Sequence, residues 1–347
     1  MSLTGQNNTR QLIDKVGFAH TLTQLEAVLE RIEKQQGSIL KSRRDALRIA
    51  DSTSWKTAIC PHDDYTYTGY LYPLVLQQVK TPIVFIIAVA HKAAQFNLEN
   101  SLIFDDFEQW HGVRKPIKVS ALREDLMKEL PKDMWQVHHE MQQIEHSVES
   151  MLPFLQYYNP EIEIVPILVP FMPFDRMQKI SDALANGIEK ITQAGKLEWG
   201  KDYSILITTD AVHYGNEDWK GRDCDRFGVD EAAYKKAFAF EHQLIDECFT
   251  GKITAERIKG FYGYTVSSAD YHKHKWTWCG RYSVPLGLLT TIKLAEKLNI
   301  PVPRGVLLDY STNLEHTPIP VEDLDGMGIT AIANLRHWVG YAGLGYL

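Results

Sequence analysis

Short apolar runs alternate along the chain with longer segments of helical spacing. Trp55 to Cys60, Ile83 to Ala90 and Tyr203 to Thr209 are compact, rich in Ile, Val and Thr, and bounded by polar or turn-forming residues, as buried strands are. Glu161 to Val169 alternates and then turns solidly apolar. Val302 to Tyr310 and Val339 to Leu347 read as late strands, with Ser101 to Phe107 and Ile117 to Val119 as shorter ones. Thr21-Leu22-Thr23-Gln24 has the form of a capping box ahead of Leu25, Val28, Leu29 and Ile32, which predicts a long first helix. Further helices are predicted through Val79 and over Ala121 to Leu130, Asp175 to Ile191, Asp230 to Phe249 and Val284 to Leu298. This alternation predicts an α/β fold with a central, mostly parallel or mixed sheet flanked by helices. No repeat, low-complexity tract or long linker divides the chain, so one domain over residues 1–347 is expected.

Three of the predicted strands run into histidine. The first leads to Pro61-His62, the second to His91, and the third through Asp210 to His213. In a largely parallel sheet the carboxyl ends of neighbouring strands open onto one crevice, so these imidazoles can converge although they are far apart in sequence. A metal is the simplest thing for them to hold. Each histidine alone reads more readily as a loop residue bonded to a backbone carbonyl, since the chain has 13 of them; it is their shared position that points to a site.

Composition narrows the function classes. With 44% hydrophobic and 23% charged residues, the 347-residue chain has ordinary globular composition. Its net charge of -7, with only the short Lys41-Ser42-Arg43-Arg44 cluster on a helical stretch, disfavours nucleic acid. Met1 to Arg10 is polar, without the apolar core of a secretory signal, and no apolar run approaches a membrane span. Cys60, Cys224, Cys248 and Cys279 form no close pair, which in a large chain suits reduced thiols and a cytoplasmic location.

Four polar segments carry the candidate chemistry. Pro61 ends the first strand and presents His62 on a fixed turn, where Asp63 and Asp64 could orient the ring or ligate directly. His146 lies between Glu145 and Glu149, with Ser147 a candidate helix cap and Pro153 a sign that the helix starts later. Asp210 and His213 are three residues apart, close enough for the carboxylate to set the imidazole tautomer. Cys279 sits before a predicted helix and beside Arg281, a setting that lowers a thiol pKa and favours the metal-binding thiolate; a buried inert cysteine is the alternative. Tyr65, Tyr67, Trp276 and Trp278 are candidate pocket walls.

Taken together these segments resemble the Memo family, which includes the AmmeMemoRadiSam system protein B. The match rests on Pro61-His62 with Tyr65-Thr66-Tyr67-Thr68-Gly69, His91 after its strand, and Glu145-His146-Ser147-Val148-Glu149 with Leu152-Pro153. Asp210 with His213-Tyr214-Gly215, and Cys279-Gly280-Arg281, complete it, all in the family's order. The resemblance implies a fold similar to the class III extradiol dioxygenases, with His62, His91 and Cys279 as metal ligands. It also implies His213 as the acid/base residue; the residues themselves suggest Asp210 as the group that orients it and His146 as a secondary donor. Two imidazoles and a thiolate suit a divalent transition metal, iron or copper first and zinc as an option. The implied function is a metal-dependent redox enzyme with a small-molecule or peptide ligand in its cleft. A non-catalytic adaptor and a zinc hydrolase are the alternatives. The chain departs from the family in having Asp63-Asp64 after the first histidine and Ala88-Val89-Ala90 before the second, where small residues and Gly-Pro-Ser are usual.

Overall fold

A computed structural model describes residues 8–219 and 222–347. The three histidine-ended runs are strands: β1 is Thr57–Cys60, β2 is Ile83–Val89, and the third, Tyr203–Thr208, is β4 after β3 at Glu163–Val169. These four pair in parallel in the order β3-β2-β4-β1. Beyond β1 the sheet becomes antiparallel through β6 (His337–Tyr346) and β5 (Arg304–Thr312), the long pair formed by the C-terminal part of the chain. The sheet is therefore mixed, parallel at its centre.

Side-chain alternation explains why the central strands read as continuously apolar. Phe85 and Ile87 of β2, with Val165 and Ile167 of β3, face one layer with helices α2 (Phe174–Ala194) and α4 (Ser283–Lys297). Val84, Ile86 and Ala88 face the opposite layer, with the first helix (α1, Leu22–Leu47) and the short Leu71–Leu76 helix. A strand covered on both faces has no polar side to expose, which is the usual condition of parallel sheets.

The local signals hold at the helix starts. Thr21 and Gln24 form the expected capping box on α1, and Asp230 caps α3 (Glu231–Cys248) by accepting from Ala233 N–H. Elsewhere tertiary contacts override them. Ser147 does not cap a helix: its hydroxyl donates to the Val89 carbonyl at 2.8 Å, and the α-helix begins at Leu152, with Pro153 in its first turn. The Ala255–Thr265 helix carries no strong periodic signal, because Gly260, Gly263 and three aromatics interrupt it. No helix among the described residues is long and apolar enough to cross a membrane.

Where β6 crosses β1, Gly345 lies against the buried indole of Trp55. A Cβ at this position would come within 2.6 Å of three ring atoms. The rigid ring cannot yield, so Gly345→Ala should cost about 1–3 kcal/mol through overpacking. Urea denaturation of the variant should show a lowered midpoint with an unchanged m-value; an unchanged midpoint would contradict this packing.

Candidate metal centre

The pairing of β1 with β4 sets the site. Cys60 is in register with Thr208, so the residues two steps beyond, His62 and Asp210, meet across the strand ends. The Asp210 carboxylate accepts from the His62 backbone N–H at 3.0 Å. The His62 ring is held by a 2.7 Å hydrogen bond between its Nδ1 and Thr208 Oγ1, leaving Nε2 facing Cys279 Sγ at 3.4 Å. His91 follows β2 and is held by Glu145, a fully buried carboxylate. Glu145 accepts from His91 Nδ1 at 2.8 Å and from the His91 backbone at 2.7 Å. Because a carboxylate only accepts, this bond places the proton on Nδ1 and the lone pair on Nε2, the orientation used by metal-ligating histidines.

Cys279 reaches the same point from the opposite side. Its Sγ accepts from the Asp210 backbone N–H at 3.0 Å and lies 3.6 Å from Thr209 Oγ1. Gly280 makes this approach possible: its N–H donates to Thr209 Oγ1, and a Cβ there would sit 2.3 Å from that oxygen. One potential ligand atom from each of His62, His91 and Cys279 falls within a mutual distance of 4.8 Å, so the three could hold a metal ion. Two overlapping sets, His91 with Glu145 and His146, and Asp210 with His213 and Cys279, meet the same criterion.

His146 and His213 border this cluster. The His146 ring stacks on His91 at 4.6 Å and meets His62 edge-on at 5.7 Å. His213 Nε2 is buried and has no hydrogen-bond partner. Its distance to Asp210 Oδ2 is 3.9 Å, longer than a hydrogen bond, whereas His62 Nε2 is 3.5 Å from the same oxygen. The three-residue spacing of Asp210 and His213 thus brings them into one pocket without bonding them directly. Trp219 packs 5.3 Å from the His213 ring and stacks on His337, a wall that no sequence motif announces.

Electrostatics favour neutral imidazoles. Burial, followed by neighbouring histidines, pushes His62 well below its ordinary range. Burial, then His91, also lowers His146 to about 4 and His213 to about 3. Burial works against Glu145 as an anion, but His91 and the surrounding donors hold it at about 2. Asp210 rises to about 7, chiefly by burial.

Three expectations need correction. The Cys279 thiol is not lowered: burial and the nearby Asp210 push it well above its ordinary range, outweighing Thr209, the Asp210 amide and Arg281. Asp63 and Asp64 do not orient His62, because Asp63 accepts from the Tyr341 hydroxyl at 2.6 Å and Asp64 from Thr330. Tyr65, Trp276 and Trp278 are no pocket walls: all three are buried, Tyr65 donating to the Ser150 carbonyl and both indoles to Glu241. Tyr67 is half-buried and donates to the Ala331 carbonyl. Glu145 supports His91 across 54 residues, a partnership that no local motif announces; along the chain its neighbour is His146, not the ring it bonds.

A mixed α/β sheet whose strand ends converge on two imidazoles and a thiol defines a protein with a candidate metal centre. The sequence profile described as Memo-like protein matches residues 24–320, and the chain belongs to that family. A MEMO1 family protein of Sulfolobus acidocaldarius is 34% identical over 114 residues, 31% of this chain and 37% of the relative. Another, from Metallosphaera sedula, is 27% identical over 168 residues, 46% of this chain and 54% of the relative. The matched segments thus span only about a third to a half of these relatives.

Metal entry should displace the Cys279 proton, since the thiol is protonated in the free site and a thiolate is the ligand form. At pH 8, above the value of about 7 for Asp210, calorimetry in buffers of different ionisation enthalpy should count about one proton released per zinc. Affinity should fall about tenfold per pH unit as pH drops, because protons compete for the sulfur. Cys279→Ser should abolish the release, and an equal proton count in that variant would exclude the thiol as its source.

Proposed function

We propose that this protein is a metal-dependent redox enzyme of the non-haem, dioxygenase-like type. His62, His91 and Cys279 would hold the metal, and His213 would transfer protons. The observation carrying this reading is the convergence of those three ligand atoms, with both histidine Nδ1 atoms already bonded and the Nε2 atoms left for coordination. The donor set itself passes a test of fit. Two imidazoles with free Nε2 positions and a thiol that can ionise on binding suit iron(II), copper or zinc, and an unpartnered His213 Nε2 stands ready beside them. Iron or copper is the preferred occupant, because a redox metal supplies electron-transfer chemistry that zinc lacks.

The surrounding residues divide the remaining work. Glu145 fixes the His91 tautomer, and Thr208 and Asp210 hold the ring and backbone of His62. His213 is neutral at pH 7 and its Nε2 is unpartnered, but burial that lowers it to about 3 makes it a weak base, so proton acceptance from a substrate hydroxyl would depend on a bound cation lowering that hydroxyl's own pKa. Asp210 lies 3.9 Å from His213 Nε2, beyond a direct hydrogen bond, and would help an imidazolium only in its ionised form. His146, stacked on His91, offers a second ring suited to donating a hydrogen bond to a bound ligand. We place the protein in the cytoplasm, where thiols such as Cys279 stay reduced.

Substitution of His213 separates proton transfer from metal holding. His213→Ala should retain metal within about twofold of the wild-type content, read by elemental analysis after anaerobic purification. Turnover should fall by about 100-fold or more once a substrate is in hand. Loss of the metal on this substitution would make His213 a ligand and overturn its role. A thiolate-to-metal absorption band in the native protein supports iron or copper. A colourless, zinc-loaded protein would move the reading to hydrolysis, and a metal-free one that still binds peptide would move it to an adaptor.

A further inference from the structure

We propose that Glu241, on the α3 helix behind the site, is a positioning residue that sets where the Cys279 sulfur stands. Its carboxylate is fully buried and accepts five hydrogen bonds from four donors. The Trp276 and Trp278 indoles donate to Oε1 at 2.5 and 2.9 Å, and Trp278 also reaches Oε2 at 3.1 Å; the Val212 backbone N–H and the Tyr310 hydroxyl donate to Oε2 at 3.1 and 3.2 Å. No cation among the described residues is paired with it. A buried carboxylate without a cation is costly unless its lone pairs are filled, so this group must be matched by donors in fixed places.

The donors identify what is being held. Val212 directly precedes His213, and Trp278 directly precedes Cys279. The two segments form a short antiparallel bridge between Val212 and Trp278, tied further by His213 N–H to the Thr277 carbonyl and by the Thr277 hydroxyl to the His213 carbonyl. Trp276 and Trp278 both turn toward Glu241, and Cys279 completes the segment by turning to Asp210 N–H at the strand ends. One carboxylate therefore fixes the register of the two segments that bring His213 and Cys279 to the pocket. His62 and His91 depend on different supports, Thr208 and Glu145. Glu241 governs the thiolate half of the centre and leaves the imidazole half alone.

This inference rests on the metal reading above, and a double-mutant cycle with Cys279 distinguishes the two. Glu241→Gln conserves shape, but its NH2 must face the Trp278 N–H in either orientation, together with the Trp276 N–H in one or the Val212 N–H in the other, opposing donor with donor. Zinc affinity, measured by competition with a chromophoric chelator, should fall about tenfold, as for loss of other groups that orient metal ligands. Cobalt(II) titration should show a weakened thiolate-to-cobalt band per bound ion. In a Cys279→Ser background, Glu241→Gln should cause no further loss of affinity, because its effect passes through the sulfur. Trp276→Phe, which removes one donor and keeps the carboxylate, should follow the same pattern and serves if Glu241→Gln fails to fold. Equal losses in both backgrounds would reveal general loosening and overturn the proposal, as would undiminished affinity and band in the single variants. Cys279→Ser binding zinc as tightly as wild type would instead sink the metal assignment, and the role of Glu241 with it.

Discussion

The in-register pairing of β1 with β4 is the constraint from which the site follows. Matching Cys60 to Thr208 puts His62 and Asp210 at the same height above the sheet, and the Asp210 carboxylate then bonds the His62 backbone. A one-residue slip would send every β1 side chain to the opposite face, exchanging the two apolar layers as well as dispersing the pocket. Core packing therefore protects the geometry of the chemistry. The two-sided burial of β1, β2, β3 and β4 makes such a slip expensive, since no polar face exists to receive the displaced side chains.

On this frame the candidate ligands are held by separate polar networks, each buried and each anchored elsewhere. Glu145 holds His91, and its own backbone carbonyl accepts from the buried Arg10 guanidinium, which also pairs with Glu149. The Glu145-His146-Ser147-Val148-Glu149 stretch thus acts as a clasp between the N-terminal segment and the end of β2, with Ser147 bonded to the Val89 carbonyl. Glu241 performs a comparable service from behind for the segments bearing His213 and Cys279. Fully satisfied buried networks of this kind restrict side chains to one arrangement, which a metal or substrate can then meet without further ordering.

The same burial sets the proton inventory. It keeps His62, His146 and His213 neutral and keeps the Cys279 thiol protonated. Those are the forms of a pocket in low dielectric without an ion, and a cation entering it reverses the preference at sulfur while suiting the imidazoles as they are. Arg281 and the helix start after Cys279, which by local logic lower a thiol pKa, are too weak to overcome desolvation of this extent.

Much of this architecture was determined by the sequence alone. Two-sided apolar runs can only be buried strands, Thr21 with Gln24 can only begin a helix well, and histidines placed at the ends of parallel strands have one crevice to enter. Local chemistry is sufficient for such features because hydrophobic period and capping act within a few residues. Tertiary structure decided the rest. Which carboxylate supports which histidine depended on contacts across 54 residues for Glu145 with His91 and 148 for Asp210 with His62. The tryptophans flanking Thr277 went to the core and not to the cleft, because Glu241 lay there to accept their N–H groups. Asp63 and Asp64, adjacent to His62 in sequence, turned to Tyr341 and Thr330 instead. A carboxylate bonds whichever donor the fold brings within about 3 Å, and neighbourhood along the chain does not choose that donor.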